Sequence, residues 1–237
     1  MIKFFRHIRQ RLLSESKLSK YMLYAIGEII LVVIGILIAL SINNWNTERQ
    51  NDIKGTVYLE GIRNDLIHDT EFIKTLIPRY QDRYRDFRGL DSLVRIGSDS
   101  IFYIYFQKIR RFSYQTYTFY PRIGSYASLV SENSTALISN DSLSKQLKNI
   151  YEIQYVRIGT LGQELDDMAT HISWERRLDY RQELKDFEHQ DFDALFADLG
   201  EMHRNVGKYR IRMKKLLVIL EECIEAIDKE LENESTP

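Results

Sequence analysis

The sequence predicts an all-α protein, in which an N-terminal transmembrane helix is followed by an antiparallel helical bundle of four or five helices. Two observations predict this fold class. The 237 residues include only three Pro and eleven Gly, too few turn-forming residues for a many-stranded sandwich or barrel. Apolar residues also recur at spacings of three, four and seven along most of the chain, which is the period of amphipathic helices.

The predicted transmembrane helix covers residues 22–42, and its twelve residues from 29 to 40 are all apolar or Gly. At about 1.5 Å per residue, a helix of this length spans about 30 Å, which is the hydrocarbon thickness of a bilayer. Tyr21 and Tyr24 near one end, and Trp45 beyond the other, are typical of the interface between membrane and water. The helix therefore has both the length and the flanks of an anchor.

The charges on either side of this helix predict its orientation. Residues 1–21 contain six Lys or Arg and one Glu, whereas only Arg49 and Lys54 follow the helix before Arg63. The positive-inside rule then predicts a single pass with a cytoplasmic N-terminus and a periplasmic helical domain over residues 43–237. Residues 1–21 are either an amphipathic helix on the anionic inner leaflet or simply a topology signal. A cleaved signal peptide is disfavoured because its basic region would be unusually long.

One face of the anchor is a candidate for helix association. Glu28, Gly35 and Ile42 recur at intervals of seven residues, and Gly35 and Ala39 form a small-xxx-small pattern that allows close backbone approach. A carboxylate within the bilayer is costly, which favours a role for Glu28 in a helix–helix contact. The alternative is that Glu28 lies at headgroup depth, because it is one turn from Tyr24.

The anchor also carries a family resemblance. The segment GEIILVVIGILIALSINNWN, which begins at Gly27, is similar to the N-terminal anchor of a family of uncharacterised single-pass membrane proteins from Gram-negative bacteria. The resemblance is close over residues 3–49 and looser from Ser125 to Tyr151. It implies an inner-membrane protein with a helical periplasmic part, and it implies no activity, cofactor or catalytic residue.

The periplasmic domain is expected to consist of helices separated by short turns. A long helix over residues 46–94 should be kinked or split near Thr75–Ile77, because Pro78 lacks an amide hydrogen and clashes with the preceding turn. Asn140 is a suitable N-cap for a helix that reaches Trp174. Other helices are expected over residues 99–111, 176–189 and 199–231.

Ten aromatic residues lie between residues 102 and 126. We favour a role in filling the core, since Phe and Tyr bury much apolar surface. The alternatives are a ligand pocket, a contact with the outer leaflet and, least favoured, stacking on nucleic-acid bases. The candidate pocket aromatics are Tyr103, Phe106, Tyr117 and Tyr120.

Catalytic signals are weak throughout the chain. Asp65 and His68, and likewise Asp186 and His189, are three residues apart, and a third group could form a zinc half-site on one helix face. Solvated ion pairs explain all three patterns equally well. We therefore expect no metal, no cofactor and no enzymatic activity. The third group consists of Asp167, His171 and Glu175.

The charge and cysteine content of the chain limit the kinds of partner that it could bind. The chain has a net charge of −1, and residues 46–237 are acidic overall, which argues against nucleic-acid binding. Cys223 is the only cysteine, so a disulfide within one chain is excluded and a buried, inert thiol is expected. The leading hypothesis is an interaction or scaffold module that binds itself or another envelope protein. The alternative is a periplasmic ligand-binding sensor that works through a partner chain.

Overall fold

In the computed structural model, residues 18–94, 117–176 and 192–234 are described, and no strand occurs among them. The predicted all-α class, with a long apolar N-terminal helix followed by several further helices, is therefore confirmed. A 3-10 helix (Ser134–Leu137) and a π-helix (Asn149–Gln154) accompany the α-helices. The α-helices are α1 (Leu18–Val94), α2 (Gly124–Ser131), α3 (Asp141–Lys148), α4 (Tyr155–Glu175) and α5 (Phe192–Glu234).

The chain divides into two compact units, Met1–Lys54 and Gly55–Pro237. In the first unit, the described residues belong to α1 alone, and the large apolar side chains between Met22 and Ile42 are exposed. In the second unit, the later part of α1 packs with the other helices around a common core. The domain boundaries expected from the sequence, after residues 21 and 42, stay predictions.

Pro78 does not split α1, and the alternative expectation of a kink there stays a prediction. The helix continues from Leu18 to Val94 with Pro78 inside it. Pro78 is exposed, whereas its neighbours Leu76 and Tyr80 are buried. Packing on the buried side therefore maintains the helix, while water can reach the backbone groups that proline leaves unpaired on the other side.

The predicted N-cap of the next long helix is confirmed. The Asn140 side chain accepts hydrogen bonds from the Ser142 and Leu143 amides at 3.0 and 3.2 Å. From Asp141, the helical path runs through α3, the π-helix and α4 without a break and ends at Glu175. Gly159 and Gly162 do not interrupt it, because burial of the flanking side chains outweighs their low helix propensity.

The last helix begins at Phe192, seven residues before the expected start. The extra turns bring Asp198 to the end of α4, where its carboxylate accepts a hydrogen bond from Arg176 Nε at 2.7 Å. His171 Nε2 also lies 3.3 Å from Asp198. An interhelical ion-pair cluster therefore stabilises the start of α5.

Side-chain contacts establish the directions of the helices. The α1–α5 pairs are Arg63 with Asp228, Lys74 with Glu221 at 2.7 Å, and Tyr80 with Tyr209. In these pairs, the residue number in α1 rises while the residue number in α5 falls. The two helices are therefore antiparallel.

The α3–α4 stretch is antiparallel to α5 as well. Asn140, which caps α3, donates to Glu230 at 2.8 Å, and Arg176 at the end of α4 pairs with Asp198. The α3–α4 stretch and α1 therefore run in the same direction. This is possible because residues 117–137 return along α1 before α3 begins.

The core of the second unit lies between α1, the α3–α4 stretch and α5. Its buried apolar side chains follow the helical spacing seen in the sequence, and Phe119, from a non-helical segment, is also fully buried. The largest of them are Leu59, Ile62, Leu66, Ile73, Leu76, Tyr80, Phe119, Leu129 and Tyr209.

Two glycines of α4 make a matched test of this packing. A Cβ at Gly162 would lie 2.5 Å from Thr118 Cγ2, whereas a Cβ at Gly159 would meet nothing within 4 Å. Thr118 is fixed by its hydrogen bond to Asp166 at 2.6 Å and cannot easily turn away. We expect Gly162→Ala to lower the free energy of unfolding by about 1–3 kcal/mol through overpacking. Gly159→Ala should raise it by about 0.5–1 kcal/mol through helix propensity.

Circular dichroism during denaturant unfolding of the full chain, with both variants in the same detergent, gives the comparison. Equal effects of the two substitutions would contradict the close contact between α4 and Thr118.

Candidate functional site

The second unit contains a segment of extended and turn-like backbone, residues 117–123, which we call the strap. The strap lies against α1 and runs opposite to it, and Phe119 is its buried anchor. Backbone amides and carbonyls that leave water need new hydrogen-bond partners, and a non-helical segment cannot supply them from its own turns. Side chains of the surrounding helices supply them instead.

Two tyrosines bind the first part of the strap. The Tyr209 hydroxyl of α5 accepts a hydrogen bond from the Phe119 amide at 2.9 Å. The Tyr80 hydroxyl of α1 donates to the Tyr117 carbonyl at 3.1 Å. Burial raises the pKa of Tyr80 and Tyr209 above the ordinary value, so both hydroxyls keep their protons at physiological pH.

Two carboxylates of α1 bind the second part. Asp69, which is 1% exposed, accepts the Arg122 amide with both oxygens, at 3.2 and 3.1 Å. Asp65, one turn earlier, accepts the Ser125 amide at 3.2 Å and thereby caps the start of α2. A carboxylate at this end of a helix also interacts favourably with the helix dipole.

The Asp69 carboxylate also joins the strap to the core of the bundle. The Tyr155 hydroxyl donates to Asp69 Oδ2 at 2.7 Å, and His68 Nδ1 lies 3.8 Å from Asp69 Oδ1. Burial raises the pKa of Asp69, although the bonds from Tyr155 and the Arg122 amide oppose this shift. Burial beside Asp69 also raises the pKa of Tyr155.

The π-helix orients aromatic rings beside this network. The Tyr151 and Tyr126 rings stack with centroids 4.2 Å apart and an interplanar angle of 3°, and Tyr155 meets Tyr151 edge-on. The Tyr126 hydroxyl donates to Glu152 at 2.9 Å. Burial, together with this carboxylate, raises the pKa of Tyr126 to about 12. No regular helical period predicts such a turn, and the sequence reasoning missed it.

A second aromatic cluster lies between α1 and α5. The His203 ring stacks on Tyr84 and Phe87 at centroid distances of 4.3 and 4.6 Å. The Arg210 guanidinium lies 4.6 Å from the Tyr84 ring centroid, within cation–π range. Burial lowers the pKa of Arg83 in the same region to about 10, so it remains charged at neutral pH.

The structure describes two of the four predicted pocket aromatics. Tyr103 and Phe106 lie outside the described residues. Tyr117 and Tyr120 are on the strap, 41% and 72% exposed, and on either side of the buried Phe119. The Arg79 guanidinium lies 4.7 Å from the Tyr117 ring centroid. The two described members therefore lie at the surface, whereas Phe119 and Tyr126 have the core-filling role.

The candidate metal ligands have structural partners in the described part of the chain. Asp167 accepts a hydrogen bond from Gln163 at 2.8 Å, and His171 lies beside Asp198. Asp65 binds the α2 amide, while His68 lies beside Asp69. Asp186 and His189 fall outside the described residues. Within the described ranges, no three His, Cys, Asp or Glu side chains are grouped so that they could hold a metal ion.

Cys223 lies in the core of the second unit and is 1% exposed. Burial raises the pKa of its thiol to about 12. Since the thiolate is the reactive form, this cysteine is protected both by its pKa and by the surrounding side chains. The expectation that Cys223 is buried is confirmed.

The predicted association face lies on the apolar part of α1. Glu28, Gly35 and Ala39 are exposed, and a Cβ at Gly35 would meet nothing within 4 Å. Trp45 is 62% exposed, and the side chains of Tyr21 and Tyr24 are outside what the structure describes. Among the described residues, α1 is the one helix that is long and apolar enough to cross a membrane.

These features define a class: a protein whose described residues form helices, with one candidate membrane-spanning helix among them and a helical domain that holds a hydrogen-bonded strap through the buried Phe119. The chain belongs to a family of unknown function (DUF6090), which matches residues 28–195. The match confirms the predicted membership of an uncharacterised family. No curated protein matches the chain, and no solved structure does either.

Two tyrosines one helical turn apart test the network. The buried Tyr151 hydroxyl has no hydrogen-bond partner among the described residues, whereas the Tyr155 hydroxyl donates to Asp69. We expect Tyr155→Phe to lower the free energy of unfolding by about 1–3 kcal/mol, because it leaves a buried carboxylate under-satisfied. Tyr151→Phe should leave it unchanged or raise it slightly. Denaturant unfolding checks both, and a larger loss for Tyr151→Phe would contradict this assignment.

The raised pKa of Asp69 predicts a pH dependence. Because the folded-state pKa lies above the unfolded value of about 3.9, the folded state binds this proton more tightly. The stability that Asp69 contributes is therefore greatest below about pH 4 and is lost as pH rises through the folded pKa. The stability difference between wild type and Asp69→Asn should accordingly shrink from about pH 4 to neutrality.

Unfolding curves at several pH values measure this difference. A His68→Gln background removes the neighbouring imidazole, whose Nδ1 lies 3.8 Å from Asp69 Oδ1. A difference that grows with pH in that background would contradict the assignment.

Proposed function

We propose that this chain is a membrane-tethered helical interaction module. One observation carries the proposal: the large apolar side chains of α1 between residues 22 and 42 are exposed, with none of the apolar window buried. Exposing such a continuous apolar stretch to water costs about 25 cal/mol per Å², whereas a bilayer accommodates it. The helical bundle that follows this stretch in sequence then binds the partner.

In this proposal, residues 22–42 cross the inner membrane of a Gram-negative bacterium once. The excess of Lys and Arg in residues 1–21 supports a cytoplasmic N-terminus, and residues 43–237 then lie in the periplasm. The chain acts by binding rather than by catalysis. Its partner is a second copy or another envelope protein.

The face of Glu28, Gly35 and Ala39 supports self-association in the membrane. Lipid tails are as apolar as Leu or Ile, so helices associate there through close packing, for which small residues are favourable. Open space around Gly35 in the single chain is consistent with a neighbouring helix at that position.

A ligand-binding sensor is the second candidate. It is favoured by the length of α1, which runs from Leu18 to Val94 with Pro78 inside the helix. In this case a ligand would act on the second unit, and a partner chain would provide the output. Stabilisation by a small molecule in a thermal-shift screen would support this candidate over the first.

A pair of glycine substitutions tests the interaction module. Gly35→Ile should abolish chemical crosslinking between copies in native membranes, because its side chain prevents close helix approach. Gly27→Ile is the matched control, since Gly27 also has open space around it and lies about 80° away around the helix.

Crosslinked products are measured by gel electrophoresis after membrane isolation. Recovery of both variants in the membrane fraction checks anchoring separately. A strict monomer with no co-purifying protein would overturn the proposed function.

A further inference from the structure

Helix α5 separates its charges into two halves. Residues 202–220 contain six basic side chains and no acidic one, whereas residues 221–234 contain seven acidic side chains and only Lys229 as a basic one. The six basic residues are Arg204, Lys208, Arg210, Arg212, Lys214 and Lys215.

Carboxylates of the acidic half, residues 221–234, bond to other helices of the bundle. Asp228 pairs with Arg63, Glu221 pairs with Lys74 at 2.7 Å, and Glu230 accepts a hydrogen bond from Asn140 at 2.8 Å. These contacts neutralise part of its charge and connect α5 to α1 and to the start of α3.

The basic half has no comparable partners. Among the described residues, none of its six basic side chains forms an ion pair. Lys208 donates only to the neutral Asn205 at 3.1 Å, and Arg210 lies over the Tyr84 ring. A concentrated positive charge therefore remains uncompensated on a chain with a net charge of −1.

Part of this charge lies on one exposed face. Arg204, Lys208, Ile211, Lys215 and Val218 follow spacings of four, three, four and three residues, and all five are exposed. We call them the basic seam. Ile211 and Val218 are 51% and 52% exposed. Apolar side chains seven residues apart, flanked by charges of one sign, are the pattern by which one helix receives another.

We propose that the basic seam binds an acidic amphipathic helix of a partner protein. The seam covers fifteen residues of helix, about 21 Å from first to last, which a partner helix of four turns would match. The partner's carboxylates would pair with Arg204, Lys208 and Lys215, and its apolar side chains would cover Ile211 and Val218. This inference rests on the proposed function as an interaction module and specifies one of its surfaces.

Other occupants fit the seam less well. The same face continues into Glu222 and Glu225, which are exposed and would repel an extended anionic bilayer. In a second copy, Glu221 and Asp228 of α5 already pair with Lys74 and Arg63, so its exposed face would offer only Glu222 and Glu225 to the three basic side chains of the seam. A discrete acidic helix from a different protein avoids both conflicts.

The test uses the full chain in nanodiscs of zwitterionic lipid and two synthetic helical peptides. Both peptides carry Leu at every seventh position, one with Glu and the other with Lys at the flanking positions. Fluorescence anisotropy should show binding of the Glu peptide only, and its affinity should fall as salt increases, because charge pairs at an exposed surface are screened.

Variants assign the binding to the seam. Lys208→Glu with Lys215→Glu should weaken binding of the Glu peptide by at least about tenfold. Ile211→Ser with Val218→Ser should also weaken it. The matched control is Lys145→Glu with Lys148→Glu, two exposed lysines of α3, which should leave the affinity within about twofold. Circular dichroism melting confirms that each variant is folded.

Four results would overturn the inference: no binding of the Glu peptide, equal loss in the control variant, equal binding of phosphatidylglycerol vesicles, or a seam-dependent dimer in mass photometry. Crosslinking of the wild-type chain in native membranes separates the two proposals. If wild-type copies crosslink there while the wild-type chain does not bind the Glu peptide, the inference fails and the proposed function stands.

Discussion

The second unit depends on satisfying the backbone of a non-helical segment that packs against three helices and buries Phe119 among them. A helix pairs its own amides and carbonyls, but the strap cannot, and unpaired buried backbone groups are costly. Side chains from α1, α4 and α5 provide the bonds: Asp69, Tyr80 and Tyr209 contact the strap directly, and Tyr155 orients Asp69. These few polar side chains determine how the three long helices are spaced around Phe119.

The close approach of backbones follows from the same constraint. Gly61 of α1 lies beside Ser125, and Gly162 of α4 lies beside Thr118, so that any Cβ at either position would crowd the returning chain. Glycine is unfavourable within a helix, by about 1 kcal/mol relative to Ala. At Gly61 and Gly162 this cost is offset because residues 117–137 can pack between α1 and the α3–α4 stretch.

The helical periodicity of the sequence predicted the structural features that are determined by residues close together in the chain. The extent of α1, the cap at Asn140 and the apolar stripe of α5 follow from side chains close together in the chain. The bonds that position the strap join residues far apart, such as Asp69 and Arg122, which are 53 positions apart. A single sequence shows neither such pairings nor the extra residue of the π-helix. Pro78 does not end α1, because the packing of its buried neighbours Leu76 and Tyr80 outweighs the local effect of proline.

The candidate site was predicted unevenly for the same reason. The association face predicted from spacing along one helix stays a prediction, and its residues Glu28, Gly35 and Ala39 are exposed in the single chain. Neighbouring aromatic residues of the segment 102–126 have different environments: Phe119 is buried, whereas Tyr120 is 72% exposed. Of the patterns that suggested metal half-sites, Asp65 binds the Ser125 amide at the start of α2, and His171 lies beside Asp198. The two surfaces best suited to binding, one on α1 and one on α5, differ in chemistry: the first is apolar with small residues, and the second is basic.

The burial of the single cysteine has a practical consequence. Cys223 is enclosed by the core and its thiol resists ionisation, so a membrane-impermeant maleimide should not label the folded chain. Each cysteine introduced at an exposed position would then be the sole reactive thiol, without replacement of the native one. The natural chain is thus already suited to mapping, residue by residue, which side of a bilayer each part of it occupies.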